Sequence, residues 1–230
     1  MVDVATHAAI HVRLPYDAVR DFAPVAMVAR GPMLLTVRND LPVHTTLELF
    51  DYARRNPGQL TYASSGVGSN NHVAAELLMD AAQIRMTHVP YKGMSPAVTD
   101  VIGGRVDVLI ASAPSIYQQV KAGRVRALGI TSAKPSSVVP DLEPLAQMGV
   151  PGYAFELWWG MLAPAKTPAA VVHEINSEVT RIVSSPEMVA VFAREGAEPA
   201  PMSEARFAAT IASEIERWKR VAKDAGIRPE

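Results

Sequence analysis

The residues best suited to chemistry lie in one glycine-rich segment, residues 64–72, which reads SSGVGSNNH. Gly66 and Gly68 supply the backbone freedom of a tight turn after β-prone residues, and Ser69 or Asn70 is a good N-cap for a helix. The first N–H groups of that helix would have no partner inside it and would lie at the positive end of its dipole. The segment therefore suits an anion, although a capped turn that binds nothing is the plainer alternative in an α/β domain.

Two other chemistries have less support in this segment. A dinucleotide fingerprint needs a third glycine where Asn71 stands, and no P-loop lysine follows the glycines. A serine nucleophile is disfavoured because Ser69 and His72 are three residues apart on one helix, and the G-x-S-x-G motif is missing. We expect His72 to cap the first turn of the helix or to line a pocket.

Two further turns of similar composition follow predicted strands and lead into predicted helices. Together with the first turn they would lie at the C-terminal edge of a sheet, where open α/β sheets bind their ligands. The turns hold hydroxyls and glycines but no activated nucleophile, which suits recognition better than bond breaking. Lys92 could supply charge to an anion, and a solvated surface lysine fits its position equally well. The residues are Tyr91, Lys92 and Gly93 after the strand 86–89, and Ser112, Ala113 and Pro114 after the strand 106–110.

Strands and short helices alternate along the middle of the chain, which predicts a parallel sheet covered on both faces. The apolar runs at 25–29 and 33–37 are broken at residues 30–32, and the second run fits a buried strand. Residues 6–10 are expected to form the end of a strand and the loop that follows it.

Beyond residue 164 the pattern becomes helical. Thr167-Pro168 and Ser185-Pro186 each combine an N-cap with a proline at the first helical position, and Ser203 caps a third helix. The apolar residues of that third helix recur every three to four positions, which predicts one apolar face that must cover another layer.

Composition limits the range of partners. The chain has 230 residues, with 22 basic against 23 acidic residues and a net charge of -1, so nothing favours nucleic acid. It has no cysteine, and His7 and His11 are predicted to be surface histidines because no further metal ligand lies near them. No apolar run reaches about 18 residues, and the N-terminus lacks the basic start and apolar core of a signal peptide. As written, the sequence indicates a soluble protein without a metal or a cofactor.

Three segments in succession resemble one known family. YASSGVGSNNHVAAELL, HVPYKGMSPAVTDVIGGRVDVLIASAPS and VKAGRVRALGITSAK closely resemble the second lobe of the Bug family, the TctC-like solute-binding receptors of tripartite tricarboxylate transporters. The resemblance continues through PGYAFELWWGMLAPAKTP to AGIRPE, and back to LPYDAVRDFAPVAMVA. Family members also carry an export signal and most of a first lobe upstream, so this sequence is expected to have an incomplete N-terminal lobe.

The resemblance implies an α/β, periplasmic-binding-protein-like fold of type II with two lobes. Residues 1–38 would be a partial first lobe, residues 39–159 the second, ligand-binding lobe, and residues 160–230 the crossover and the C-terminal helices that pack on the first lobe. The implied function is a non-enzymatic, periplasmic receptor that captures a di- or tricarboxylate or a related carboxylate for the membrane permease subunits of the transporter. The alternative is a truncated or degenerate relative that acts as an interaction or sensing module without tight ligand binding. Neither cofactor, nucleic acid nor direct membrane insertion is implied.

The resemblance also implies a ligand site in which backbone N–H groups, hydroxyls and water hold the carboxylate. This implied site consists of the first turn, its two neighbouring loops and one hydroxyl from the last loop of the first lobe. His72 is added to it because we expect His72 to cap the helix or to line the pocket. The residues are Ser65, Gly66, Gly68, Ser69, Asn70, Asn71 and His72; Tyr91, Lys92 and Gly93; Ser112, Ala113 and Pro114; and Thr6 from the first lobe.

Overall fold

A 17-residue strand, β1 (Phe22–Arg38), passes from one structural unit of the chain into the other. The computed structural model describes residues 3–10 and 14–224. The chain divides into a central unit, residues 31–156, and a terminal unit, residues 1–30 together with 157–230.

The strand β1 continues through residues 30–32, where the sequence predicted a break. Arg30 pairs with Glu198, whereas Met33 pairs with Ser112, so Pro32 lies where β1 exchanges one set of partners for another. A proline has no N–H to donate to a ladder, and at such an exchange that loss is tolerated.

The central unit is a five-stranded sheet with helices between its strands. The strand order is β3-β2-β4-β1-β5, in which β2 is parallel to both of its neighbours, while β1 is antiparallel to β4 and β5. The elements after β1 are α2 (Thr46–Arg55), β2 (Thr61–Ser64), α3 (Asn70–Ala82), β3 (Thr87–Pro90), α4 (Met94–Ile102), β4 (Val108–Ser112), α5 (Ala113–Lys121), β5 (Val125–Ile130) and a 3-10 turn (Leu145–Gln147).

The sheet is therefore mixed, and the prediction of a parallel sheet is wrong for β1. A helical crossover fixes the direction of β2, β3 and β4 relative to one another. The strand β1 enters from the terminal unit instead, so no crossover inside the sheet sets its direction.

The core of the central unit lies against α4 and α5. Val101 of α4 and Ile116 of α5 pack with Leu34, Leu109 and Ile130 of the sheet, and all five side chains are fully buried. Each such aliphatic side chain contributes about 1.5–3 kcal/mol by its removal from water, so this layer fixes the strands whose ends carry the predicted turns.

The terminal unit contains the three helices described after residue 164. Two predicted N-caps are confirmed: Ser185 accepts a hydrogen bond from Met188 N at 3.3 Å, and Ser203 accepts one from Arg206 N at 3.4 Å. The helix predicted to begin with Thr167 as N-cap and Pro168 as its first residue begins one residue later, with Pro168 as its N-cap. The elements are β6 (Glu156–Pro164), α6 (Ala169–Val183), α7 (Pro186–Arg194), β7 (Glu198–Pro199) and α8 (Glu204–Asp224), and both strands pair with β1.

The predicted apolar face of α8 is confirmed where its side chains are described. Phe207, Ile211, Ile215 and Trp218 are buried, and the Phe207 ring meets Trp158 of β6 edge-on at 5.3 Å between centroids. Perpendicular aromatic pairs of this kind add to the stability gained from burial. In the described part of the chain, no helix is both long and apolar enough to cross a membrane.

The N-terminal prediction is wrong, because residues 6–10 belong to a helix, α1 (Asp3–Ile10), and not to a strand and loop. The segment is rich in alanine, which has the highest helix propensity, and α1 packs against α8. Packing against α8 thus determines that this segment is a helix, since its sequence has no clear hydrophobic periodicity. The predicted surface histidines lie outside this description, since the side chain of His7 and all of His11 are among the residues not described.

Candidate functional site

The three predicted turns lie at one edge of the central sheet. The parallel strands β3, β2 and β4 are neighbours, so their C-terminal ends and the starts of α4, α3 and α5 share that edge. Tyr91 N donates to Ser64 O at 3.0 Å, and Asn71 Nδ2 donates to Ile110 O at 2.7 Å. Direct hydrogen bonds therefore tie the first turn to the second turn and to β4, the strand that leads into the third turn.

The turn between β2 and α3, residues 65–69, requires its glycines. Gly66 has φ +133° and Gly68 has φ +74°, conformations that side-chain-bearing residues rarely adopt. Ser69, rather than Asn70, is the N-cap: its Oγ accepts from His72 N at 3.5 Å and donates to Gly66 O at 2.7 Å. The Ser69 hydroxyl proton is thus used inside the turn.

The buried amide of Asn71 also serves the turn. Its Oδ1 accepts from Ser65 Oγ at 2.8 Å while its Nδ2 donates to β4, and the residue is 6% exposed. Asn70 beside it is 8% exposed. The side chains of Ser65, Ser69 and Asn71 are thus engaged in holding the turn together, which leaves recognition largely to the backbone.

Three backbone donors of the turn remain available. The N–H groups of Ser65, Val67 and Asn71 have no hydrogen-bond partner among the described residues. Asn71 is the second residue of α3, so its N–H projects from the helix N-terminus, and Val67 at the tip of the turn is 42% exposed. Val67 was not predicted as a site residue, and the signal for it in the sequence is its place between two glycines.

The second turn combines one fixed side chain with one free charge. The Tyr91 hydroxyl donates to Asp100 Oδ2 at 2.7 Å, and Arg105 donates to the other oxygen of Asp100 at 2.6 Å. Burial and the Asp100 carboxylate raise the pKa of Tyr91 to about 12, so the phenol stays protonated. Lys92 is exposed and makes no ion pair with any described residue, and Gly93, with φ +115°, begins α4 without a side-chain cap.

The third turn presents a pair of hydroxyls. Ser112 Oγ and Ser115 Oγ are 2.7 Å apart, and α5 starts at this point without a side-chain cap. Pro114 stands in the first turn of α5, where its missing N–H is not needed, and Ala113 is fully buried. A hydroxyl pair of this kind shares one proton internally and keeps one to donate outward.

Two stacked imidazoles lie under the first turn. The rings of His72 and His88 are 4.2 Å apart between centroids and 6° from parallel, and the ring of Tyr62 stacks on His88 at 4.8 Å. Burial, with a further contribution from His72, lowers the pKa of His88 to about 4, so its imidazole is neutral at physiological pH. His88 Nε2 lies 2.7 Å from Ser64 Oγ.

A carboxylate completes this cluster. Glu76 Oε1 accepts a hydrogen bond from the Tyr62 hydroxyl at 2.5 Å and lies 3.6 Å from His72 Nε2. Burial raises the pKa of Glu76, but the nearby His72 ring and the hydrogen bond from Tyr62 outweigh this and leave the pKa lowered, so Glu76 is ionised. Sequence reasoning missed Glu76, Tyr62 and His88, although the i, i+4 spacing of His72 and Glu76 was a usable signal for one pair.

Thr6, the site residue predicted from the first lobe, belongs to the terminal unit. It lies within α1 and is fully buried. The loop that was expected to present its hydroxyl is absent from the described residues 3–10.

Comparison of the sequence with known proteins identifies relatives along nearly the whole chain. The family model TctC, described as "Tripartite tricarboxylate transporter family receptor", matches residues 1–227. A UPF0065 protein in the tcbD-tcbE intergenic region of Pseudomonas sp. is 39% identical over 210 residues, covering 91% of this chain and 62% of that protein. Protein BugT of Bordetella pertussis is 29% identical over 215 residues, covering 94% and 66%. The chain thus spans 62–66% of the length of these curated relatives.

Solved structures with a similar fold also come from periplasmic receptors of this family. An R. palustris protein solved with adipate has a TM-score of 0.95 and 35% identity, covering 99% of this chain and 77% of its own. Periplasmic binding protein BugD has a TM-score of 0.93 and 26% identity, covering 100% and 77%. MatC from Rhodopseudomonas palustris, solved with bound malate, has a TM-score of 0.86 and 28% identity, covering 95% and 75%. The fold is that of the periplasmic binding proteins of this family, as predicted. The chain belongs to the TctC family of tripartite tricarboxylate transporter receptors, which are solute-binding proteins and not enzymes.

Proposed function

We propose that the protein is an extracytoplasmic receptor that captures a small organic acid, a dicarboxylate or a related carboxylate, for a tripartite tricarboxylate transporter. The observation that carries this proposal is the set of available backbone donors at Ser65, Val67 and Asn71, beside two more helix N-termini at the same sheet edge. The relatives solved with adipate and malate support a carboxylate as the ligand.

The chemistry of the edge suits a carboxylate. Backbone N–H groups donate to each oxygen, and a charged acceptor makes such hydrogen bonds about twice as strong as neutral ones. The helix dipoles of α3, α4 and α5 all present their positive ends here, and Lys92 adds one full positive charge. None of the residues 65–69, 91–93 and 112–115 is acidic, so nothing in these turns repels an anion.

The family supports a proposal for the location and the partner of this receptor. BugD is a periplasmic binding protein, and we propose the same location for this chain. The membrane subunits of the transporter are the partners that the family name implies. Neither point depends on the geometry of the turns.

Titration of the ¹⁵N-labelled 230-residue chain with adipate, malate and citrate tests the proposal, with adipamide as a neutral control of the same length as adipate. We expect saturable shifts that are largest at the amides of Val67 and Asn71 for at least one of the acids, and no saturable shift with adipamide. Calorimetry then gives the affinity of the acid that binds. The proposal is wrong if no carboxylate gives saturable shifts at millimolar concentration, or if adipamide shifts the same amides equally.

A further inference from the structure

We infer that His72 is a positioning residue: its imidazole, kept in the Nε2–H form by Glu76, fixes the Gly68 peptide and so aims the backbone donors of the β2–α3 turn. The inference rests on the proposed function as far as it concerns the ligand. The sequence placed His72 among the residues that contact the ligand, whereas the structure gives both of its nitrogens other tasks.

The first task is at Nδ1. Gly68 N donates to His72 Nδ1 at 3.1 Å, so this nitrogen is an acceptor and carries no proton. A neutral imidazole then has its proton on Nε2. Gly68 is buried, its φ is +74°, and its N–H is engaged by the ring, so it is not a donor to the ligand.

The second task is at Nε2. This nitrogen faces Glu76 Oε1 at 3.6 Å, and the His72 side chain is only 12% exposed. The same oxygen accepts the Tyr62 hydroxyl, which fixes the carboxylate in place. An ionised carboxylate near Nε2 favours the proton there over Nδ1, so Glu76 selects the tautomer that can accept from Gly68.

The ring is also held from its face. His88 stacks on His72 at 4.2 Å between centroids, and His88 Nε2 lies 2.7 Å from Ser64 Oγ. Ser64 Oγ in turn accepts from Gly66 N at 3.1 Å. Gly66 is thus connected through Ser64 to His88, and Gly68 is bonded directly to His72. The two stacked rings therefore set the orientation of both glycine peptides.

The tautomer is measured first, without ligand, by long-range ¹H–¹⁵N correlation spectra of the full chain. The Nε2–H form of His72, with a Gly68 amide resonance that moves in His72→Leu and stays near its place in His72→Asn, supports the inference. Asparagine can offer Oδ1 close to where Nδ1 stood, whereas leucine offers no acceptor. The Nδ1–H form, or an unmoved Gly68 amide in His72→Leu, overturns it.

Adipate titrations then test the aim of the turn. We expect His72→Leu to bind about tenfold more weakly than the parent, the loss of roughly one hydrogen bond, and His72→Asn to stay within about threefold. His173→Leu, an exposed histidine in α6, is the control and should bind like the parent. Equal affinity of His72→Leu and the parent overturns the inference. If the parent binds no carboxylate, the proposed function fails, and the tautomer and the Gly68 amide still decide what His72 does to the turn.

Discussion

Replacing Gly68 by valine should have two effects: it strains the backbone, and it moves the N–H donors of the turn away from the ligand. The two effects can be separated because the chain contains a second glycine, Gly58, with the same backbone φ. Gly68 and Gly58 both have φ +74°. A Cβ added at Gly58 would meet nothing within 4 Å, so Gly58→Val measures strain alone. A left-handed backbone costs an L-residue about 1–2 kcal/mol, and both variants should lose at least this much free energy of unfolding.

Binding should distinguish the two variants. Strain at Gly68 is relieved by rotation of its peptide, which breaks the bond to His72 and displaces the neighbouring N–H of Val67. A hydrogen bond to a charged group contributes about 1.5–3 kcal/mol, so Gly68→Val should weaken carboxylate binding by roughly ten- to a hundredfold. Gly58 precedes β2, at the opposite end of that strand from the turn, so Gly58→Val should leave the affinity unchanged.

The assay is a urea unfolding curve and an adipate titration for the parent and both variants, with circular dichroism to confirm that each is folded. The reasoning is refuted if a folded Gly68→Val protein binds like the parent, since the anion would then not sit at this turn. It is equally refuted if Gly58→Val loses as much affinity, because strain alone would then account for the effect.

Three further predictions follow from single contacts. Ser69→Ala should lower the free energy of unfolding by about 1 kcal/mol in urea, because it removes both the N-cap of α3 and a bond to Gly66. Burial lowers the pKa of His88 from 6.5 to about 4, so folding disfavours the protonated form of this residue. The free energy of unfolding measured in urea should therefore fall between pH 6.5 and pH 4, and it should fall less in His88→Gln. Gly160→Ala should destabilise the protein by about 1–3 kcal/mol in thermal unfolding, because its Cβ would collide with the Phe207 ring.

The sequence predicted the three turns because each one is marked by residues with strong local preferences. Glycines with positive φ at Gly66, Gly68 and Gly93 and the serine cap of α3 are local choices that tertiary contacts did not override. The alternation of strands and helices then places the turns at one edge without knowledge of the packing. This part of the site could be found from sequence for that reason.

The elements that the sequence did not predict depend on contacts distant in the chain. The unbroken β1 exists because Arg30 and Met33 find partners in β7 and β4, which no local pattern near Pro32 announces. The helix α1 is decided by packing against α8, about 200 residues later. His88 joined the cluster under the turn for the same reason, since β2 and β3 bring it beside Ser64.

The engagement of the turn's side chains changes what selectivity can depend on. Ser69, Asn71 and His72 have their hydrogen-bonding atoms occupied within the protein, so substituting them alters the aim of the donors rather than the chemistry offered to the ligand. Backbone N–H groups bind any carboxylate alike, and they bind a neutral analogue more weakly because a charged acceptor makes each hydrogen bond about twice as strong. Within the central unit, discrimination between one acid and another must therefore come from the groups that remain exposed at this edge. Val67 offers a branched apolar surface at the tip of the turn, and Lys92 offers a positive charge. Substituting either residue should therefore change which acid binds best, while the ligand must still be a carboxylate.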